Sequence, residues 1–174
     1  RVIPSLKMER CVCVAVGFGF CMVTTAAGAL YAFGSNSFGK LGLGLGHTNT
    51  VAVPTRVAVM GGAVRSVCAG QFHAACITGE GRVWSWGGGA YGKLGHGDGE
   101  TRSLPTAAAS TSFAAKQITA GLSCTLVIDT DDAIWITGRV RYGGPSSTAF
   151  TRVQFPQTPG LPPLRFVQVS IFTQ

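Results

Sequence analysis

The stretch Val83-Trp84-Ser85-Trp86-Gly87, followed by Tyr91-Gly92-Lys93-Leu94-Gly95-His96-Gly97, decides the reading of this chain. Its first half sets two indoles two residues apart, which on a strand directs both to one face. Gly79-Glu80-Gly81 stands just before it and reads as a hairpin turn. A β-rich run from Val67-Cys68-Ala69-Gly70 to Thr78 leads into that turn.

The same layout recurs on both sides. Upstream, Val14-Ala15-Val16-Gly17 leads to Thr25, a turn at Ala26-Ala27-Gly28, and Ala29-Leu30-Tyr31-Ala32-Phe33-Gly34. Downstream, Ile118-Thr119-Ala120-Gly121 leads to a turn over Asp129-Thr130-Asp131-Asp132, then Ala133-Ile134-Trp135-Ile136-Thr137-Gly138. The leading glycines Gly17, Gly70 and Gly121 are 53 and 51 residues apart, and the trailing glycines Gly34, Gly87 and Gly138 keep both spacings. Phe38-Gly39-Lys40-Leu41-Gly42 matches Tyr91-Gly92-Lys93-Leu94-Gly95, and Pro54 and Pro105 follow in turn. A period near 50 residues with paired strands signals a small sheet repeated along the chain.

These residues resemble the RCC1 repeat, a β-propeller family. The resemblance spans most of residues 11 to 153 and is strongest over 67 to 106. Phe166-Val167-Gln168-Val169-Ser170 is similar to the opening of a further repeat, with Ser170 in the glycine position. The third repeat departs from the pattern because it lacks the Gly-Lys-Leu-Gly loop. Gly138 is 13 residues from Thr151, whereas Gly34 is 21 from the matching Thr55. The family often carries a histidine three residues after the leading glycine; His73 fits, while Phe20 and Cys124 hold the other two places.

Composition agrees with an all-β chain. Glycine occurs 25 times, hydrophobic residues make up 46% and charged residues 12%. Low charge and high hydrophobicity exclude disorder, and the glycine content argues against a long helical protein. No apolar run is long enough for a membrane span, and no signal peptide is visible. The chain opens on Arg1 rather than methionine, which reads as an excerpt or a processed product. The six cysteines include no C-x-x-C pair, so the expectation is buried thiols in a reducing, intracellular setting; Cys11 and Cys13 should share one strand face.

The formal charge is +7 and no acid follows Asp132. Arg139, Arg141, Arg152 and Arg165 therefore stand uncompensated as candidate contacts for a protein partner or RNA. Other chemistry has weak support. The resemblance implies that His73 is a structural residue tying a strand to neighbouring backbone, and His47 and His96 read as exposed turn residues. Asp129, Asp131 and Asp132 lack the continuation of a calcium loop and read as a hairpin turn. The glycine runs lack the Gly-Lys-Ser/Thr ending of a phosphate loop. Trp84, Trp86 and Trp135 keep register with Tyr31, which points to packing between blades. No catalytic residue, cofactor or metal site is expected.

The expected fold is all-β: a partial propeller of about three blades, each of four antiparallel strands, where the family's ring has seven. One domain spans 1–174, with repeats near 11–60, 64–113 and 115–165 and a fourth opening at 166–174. The remaining blades would lie in a longer parent chain, or another chain would cover the open flanks. The resemblance implies a non-catalytic protein-interaction scaffold within a large complex. The alternatives are a guanine-nucleotide exchange factor for a small GTPase and an RNA- or ribosome-associated subunit.

Overall fold

A computed structural model describes residues 9–46, 49–108, 111–140 and 146–154. Twelve strands occupy them, in three four-stranded antiparallel sheets that each follow chain order. The first sheet holds β1 (Cys11–Gly17), β2 (Phe20–Thr25), β3 (Leu30–Gly34) and β4 (Val51–Val57). The second holds β5 (Val64–Ala69), β6 (His73–Thr78), β7 (Val83–Gly87) and β8 (Arg102–Ala107). The third holds β9 (Ala115–Ala120), β10 (Cys124–Asp129), β11 (Ile134–Gly138) and β12 (Ser147–Arg152). β1 meets β5 and β5 meets β9, so the sheets converge on their first strands like blades on an axis. The predicted all-β partial propeller is the observed architecture. Residues 166–174, expected to open a fourth repeat, lie outside the described residues.

Strand alternation is what builds the interfaces between blades. In β7, Trp84 pairs with Cys76 and Trp86 with Ala74, and this face turns toward the first blade. It meets Met22, Leu30, Leu41 and Val57, all almost fully buried. Between the second and third blades, Ile77 and Val83 pack on Ala115, Val127 and Trp135. Each large side chain removed from water this way contributes about 1.5–3 kcal/mol.

Polar clasps fix the blades in register. The Trp86 indole N–H donates to the carbonyl of Lys40 at 3.0 Å. One blade on, Thr125 donates to the carbonyl of Lys93 at 2.8 Å, and Thr137 donates to that of Gly92 at 2.8 Å. Thr137 stands where the first two blades carry Phe33 and Trp86, so the third blade has lost a ring from this seam. Phe150 of β12 supplies one instead. A Cβ on Gly42 would lie 2.7 Å from Trp86, and one on the matching Gly95 would lie 2.5 Å from Phe150. Phe150 also contacts Phe113 edge-on, and Phe113 stacks on Trp135.

His73 is buried as a structural residue, and a side chain of the next blade holds its ring. Its Nε2 lies 2.9 Å from the Thr125 hydroxyl. Thr125 gives its one proton to the Lys93 carbonyl, so the ring donates from Nε2. Complete burial, with the Lys93 charge nearby, holds its pKa down to about 3.

The cysteines divide. Cys68, Cys76 and Cys124 are buried, and burial raises all three thiol pKa values. Cys11 and Cys13 do not share a face, because a register shift between them turns Cys11 to solvent while Cys13 packs against the first core.

Two outcomes test this account. At the axis, a Cβ on Gly70 would stand 2.5 Å from the carbonyl of Gly121 and 2.5 Å from the His73 ring. Gly70→Ala should therefore lower the unfolding free energy by about 2–3 kcal/mol in urea titration, well beyond the effect of Gly46→Ala at an open site. For His73 the unfolded state binds the proton more readily than the folded state. Stability should thus be fully present above pH ~6.5 and fall as acid approaches the folded value, by up to about 1.4 kcal/mol per pH unit per such group. His73→Gln should show a shallower decline between those limits in the same titration run across pH.

Candidate functional site

Each sheet has two ends. Gly34 pairs with both Phe20 and Val51, so the β1–β2 turn and the β3–β4 loop emerge at one end, called here the loop face. The second and third blades repeat the arrangement, through His73–Gly87–Arg102 and Cys124–Gly138–Ser147. The tight β2–β3 hairpin and its equivalents lie at the opposite end.

The two ends differ in chemistry. The hairpin end carries exposed charge, including the Glu80–Arg82 pair at 3.3 Å and the Lys116–Asp132 pair at 2.6 Å. Its acid cluster is a turn: the Asp129 carboxylate accepts from the backbone N–H of Asp131 and Ala133 and from the Trp135 indole. The loop face carries the Asp98–Arg102 pair at 2.7 Å and gathers several exposed apolar side chains. Phe18 is 67% exposed, Phe38 58% and Tyr91 47%, and Leu122 joins them. Phe72 sits between Phe18 and Phe38, with ring centroids 6.5 and 5.2 Å away, both edge-on. Phe18, Gly17, Gly70, Gln71 and Leu122 also line a cleft of about 560 Å³ beside the axis.

Phe38 and Tyr91 hold matching places in the two Gly-Lys-Leu-Gly loops and share an unusual backbone. Their φ angles are 60° and 65°, inside short 3₁₀ turns over Ser37–Gly39 and Ala90–Gly92. A bulky side chain in left-handed backbone costs on the order of 1–2 kcal/mol. The strain stands at two exposed rings that contribute little to the core.

Beneath the rings lie two lysines that the sequence did not single out. Lys40 is almost completely buried; its ammonium donates to the carbonyl of Phe18 at 2.7 Å and lies 5.1 Å from the Phe20 ring centroid and 5.9 Å from those of Phe18 and Phe72. Lys93 is also buried and donates to the carbonyl of Ala90 at 3.0 Å. Burial lowers the pKa of both. Their shared Gly-Lys-Leu-Gly setting was the available signal, but a lysine in a glycine-rich loop ordinarily reads as exposed.

The candidate arginines do not gather. Arg139 follows β11 on the loop face and lies 3.5 Å over the Tyr91 ring. Arg152 ends β12 opposite Trp135, at the hairpin end. Arg141, Arg165 and His47 lie outside the described residues. His96, expected as an exposed turn residue, is half-buried with Nε2 3.1 Å from the Ser85 hydroxyl. Ser85 gives its proton to the carbonyl of Leu94, so the histidine donates to the serine, the reverse of a base activating a nucleophile. Among the described residues no group of three or more metal-ligating side chains occurs, and no helix is long and apolar enough to cross a membrane.

Comparison with known proteins places this architecture. The model of the regulator of chromosome condensation (RCC1) repeat matches residues 27–77 and 80–128. The Arabidopsis thaliana ultraviolet-B receptor UVR8 is 33% identical over 143 residues, covering 81% of this chain and 32% of the receptor. The human E3 ubiquitin-protein ligase HERC2 is 32% identical over 148 residues, covering 82% of this chain and 3% of the ligase. The structure of human WBSCR16 superposes with a TM-score of 0.77 at 22% identity, over 87% of this chain and 42% of that one. Yeast RCC1 (Prp20), solved bound to Kap60, gives 0.69 at 22% identity, over 82% of this chain and 36% of that one. The chain thus spans about a third or less of the curated relatives it matches. Repeat spacing, blade topology and matched residues agree: the chain belongs to the RCC1 repeat family.

Proposed function

We propose that this chain supplies blades to a non-catalytic scaffold, that its loop face is the docking surface for a protein partner, and that it works as a subunit of a larger assembly. The observation that carries the reading is the pair Phe38 and Tyr91. Both rings are exposed, and both hold left-handed backbone that an aromatic residue adopts only at a cost. Strain kept at a solvent-facing ring, in register in two blades, fits a contact surface better than a packing role. Arg139, stacked on Tyr91, belongs to that surface. The matched relatives include a receptor and a ubiquitin ligase whose shared part is the repeat segment, which favours a common role in binding over a common chemistry. The separation of Arg139 from Arg152 weighs against a basic face built from those two for RNA.

The test compares the two ends of the sheets by affinity purification of the tagged full chain. Phe38→Asn and Tyr91→Asn should each leave unfolding stability within about 1 kcal/mol of the parent, because relief of left-handed strain offsets the lost ring contacts. The double variant should recover about tenfold less of the partner, the size expected for loss of an aromatic anchor. Arg82→Ala, at the hairpin end, should recover the same amount as the parent. Equal losses from both ends, or none from the loop face, would contradict the reading.

A further inference from the structure

The loop face combines an apolar surface with positive charge held just under it. Lys40 and Lys93 occupy equivalent loop positions and point their ammonium groups at carbonyls of the outermost residues, Phe18 and Ala90. Among the described residues, the ion pairs are Arg82–Glu80, Arg102–Asp98 and Lys116–Asp132, and none includes either lysine. Buried charges are ordinarily paired, because an isolated one loses its hydration without compensation. Backbone carbonyls and the faces of phenyl rings offset part of that loss for Lys40. The lowered pKa values of both groups carry the mark of what is left uncompensated. A charge in this position is screened less than one on an exposed side chain, so its field reaches the surface above it. The nearby acid Asp98 is engaged by Arg102 at 2.7 Å and by the backbone N–H of Glu100.

From this we propose that the loop face binds an acidic segment of a protein partner, with apolar side chains seated on Phe18, Phe72 and Phe38 and carboxylates placed over Lys40 and Lys93. The occupant follows from complementarity. The exposed rings need an apolar contact, and the two unpaired cations beneath them need negative charge. An RNA strand would offer the charge too, but phosphate recognition draws on a tract of exposed basic side chains, and the basic candidates Arg139 and Arg152 lie at opposite ends of the sheets. The proposal rests on the loop-face reading above and adds the chemistry of the bound segment to it.

The experiment is fluorescence polarisation on the full chain with three labelled probes. One is a short peptide of aspartate and glutamate interspersed with leucine and phenylalanine. The second keeps the apolar residues and replaces every acid with lysine. The third is a single-stranded RNA of similar length. The acidic peptide should bind about tenfold or more tightly than its lysine counterpart and than the RNA, and should weaken as salt is added. Lys93→Gln and Lys40→Gln should each weaken it about threefold or more, with thermal unfolding unchanged. If Lys40→Gln does not fold, Lys93→Gln decides. Equal or tighter binding of the lysine peptide or the RNA, no binding of the acidic peptide, or indifference to Lys93→Gln would overturn the proposal. Should the acidic peptide fail while Phe38→Asn and Tyr91→Asn still strip the native partner, the loop-face reading stands and only the acidic chemistry falls.

Discussion

The inner strands of neighbouring blades meet so closely that their leading glycines leave no space for a side chain. Phe18 donates to the carbonyl of Gly70, and the Gly70 backbone in turn lies against that of Gly121. This contact sets how far apart the blades can stand at the axis. With that distance set, alternation along each strand determines which side chains enter the seam. Trp84 and Trp86 then meet Met22, Leu30 and Leu41 instead of solvent. The Gly-Lys-Leu-Gly loops are drawn across the seam for the same reason: Gly42 must be small to admit Trp86, and Gly95 to admit Phe150.

Burial of the loop lysines is a consequence of that geometry. A loop that crosses to the next blade carries its lysine inward, and the ammonium takes the nearest carbonyl it can reach. The rings at the tips of the same loops are left outside, because the seam beneath them is already filled. The apolar loop face and the cations below it therefore arise from one packing solution repeated in two blades. The third blade, with a shorter connection after β11, does not repeat it, and Thr137 and Phe150 fill its seam by another route.

The first sheet shows what an uncovered blade looks like. Val14 and Val16 of β1 are well exposed, while the matching Val67 and Ala69 of β5 pack against the preceding blade. The difference lies in what stands alongside, since the residue types are similar. Exposed valines on a strand flank are thus the local signature of a sheet face that no described residue covers.

Much of the fold was legible because its signals are local. The strands, the hairpin turns at Gly28, Gly81 and Asp129, and the repeat itself follow from alternation, turn chemistry and spacing within a few residues. The Asp129 turn could be read the same way, whereas a structural place for His73 came only from the family resemblance. Other features depend on residues about one repeat apart, which no local pattern records. His96 is half-buried against Ser85 of its own blade, but the loss of the tryptophan position in β11, its replacement by Phe150 of β12, and the burial of Lys40 and Lys93 belong here. So do the gathering of Phe18, Phe38 and Phe72 on one face and the division of Arg139 from Arg152 between opposite ends. The sequence by itself determined that small four-stranded sheets would form and repeat. Only their packing decided which side chains would be sealed in the seams and which would remain on the surface to meet a partner, because burial is a property of the neighbouring blade.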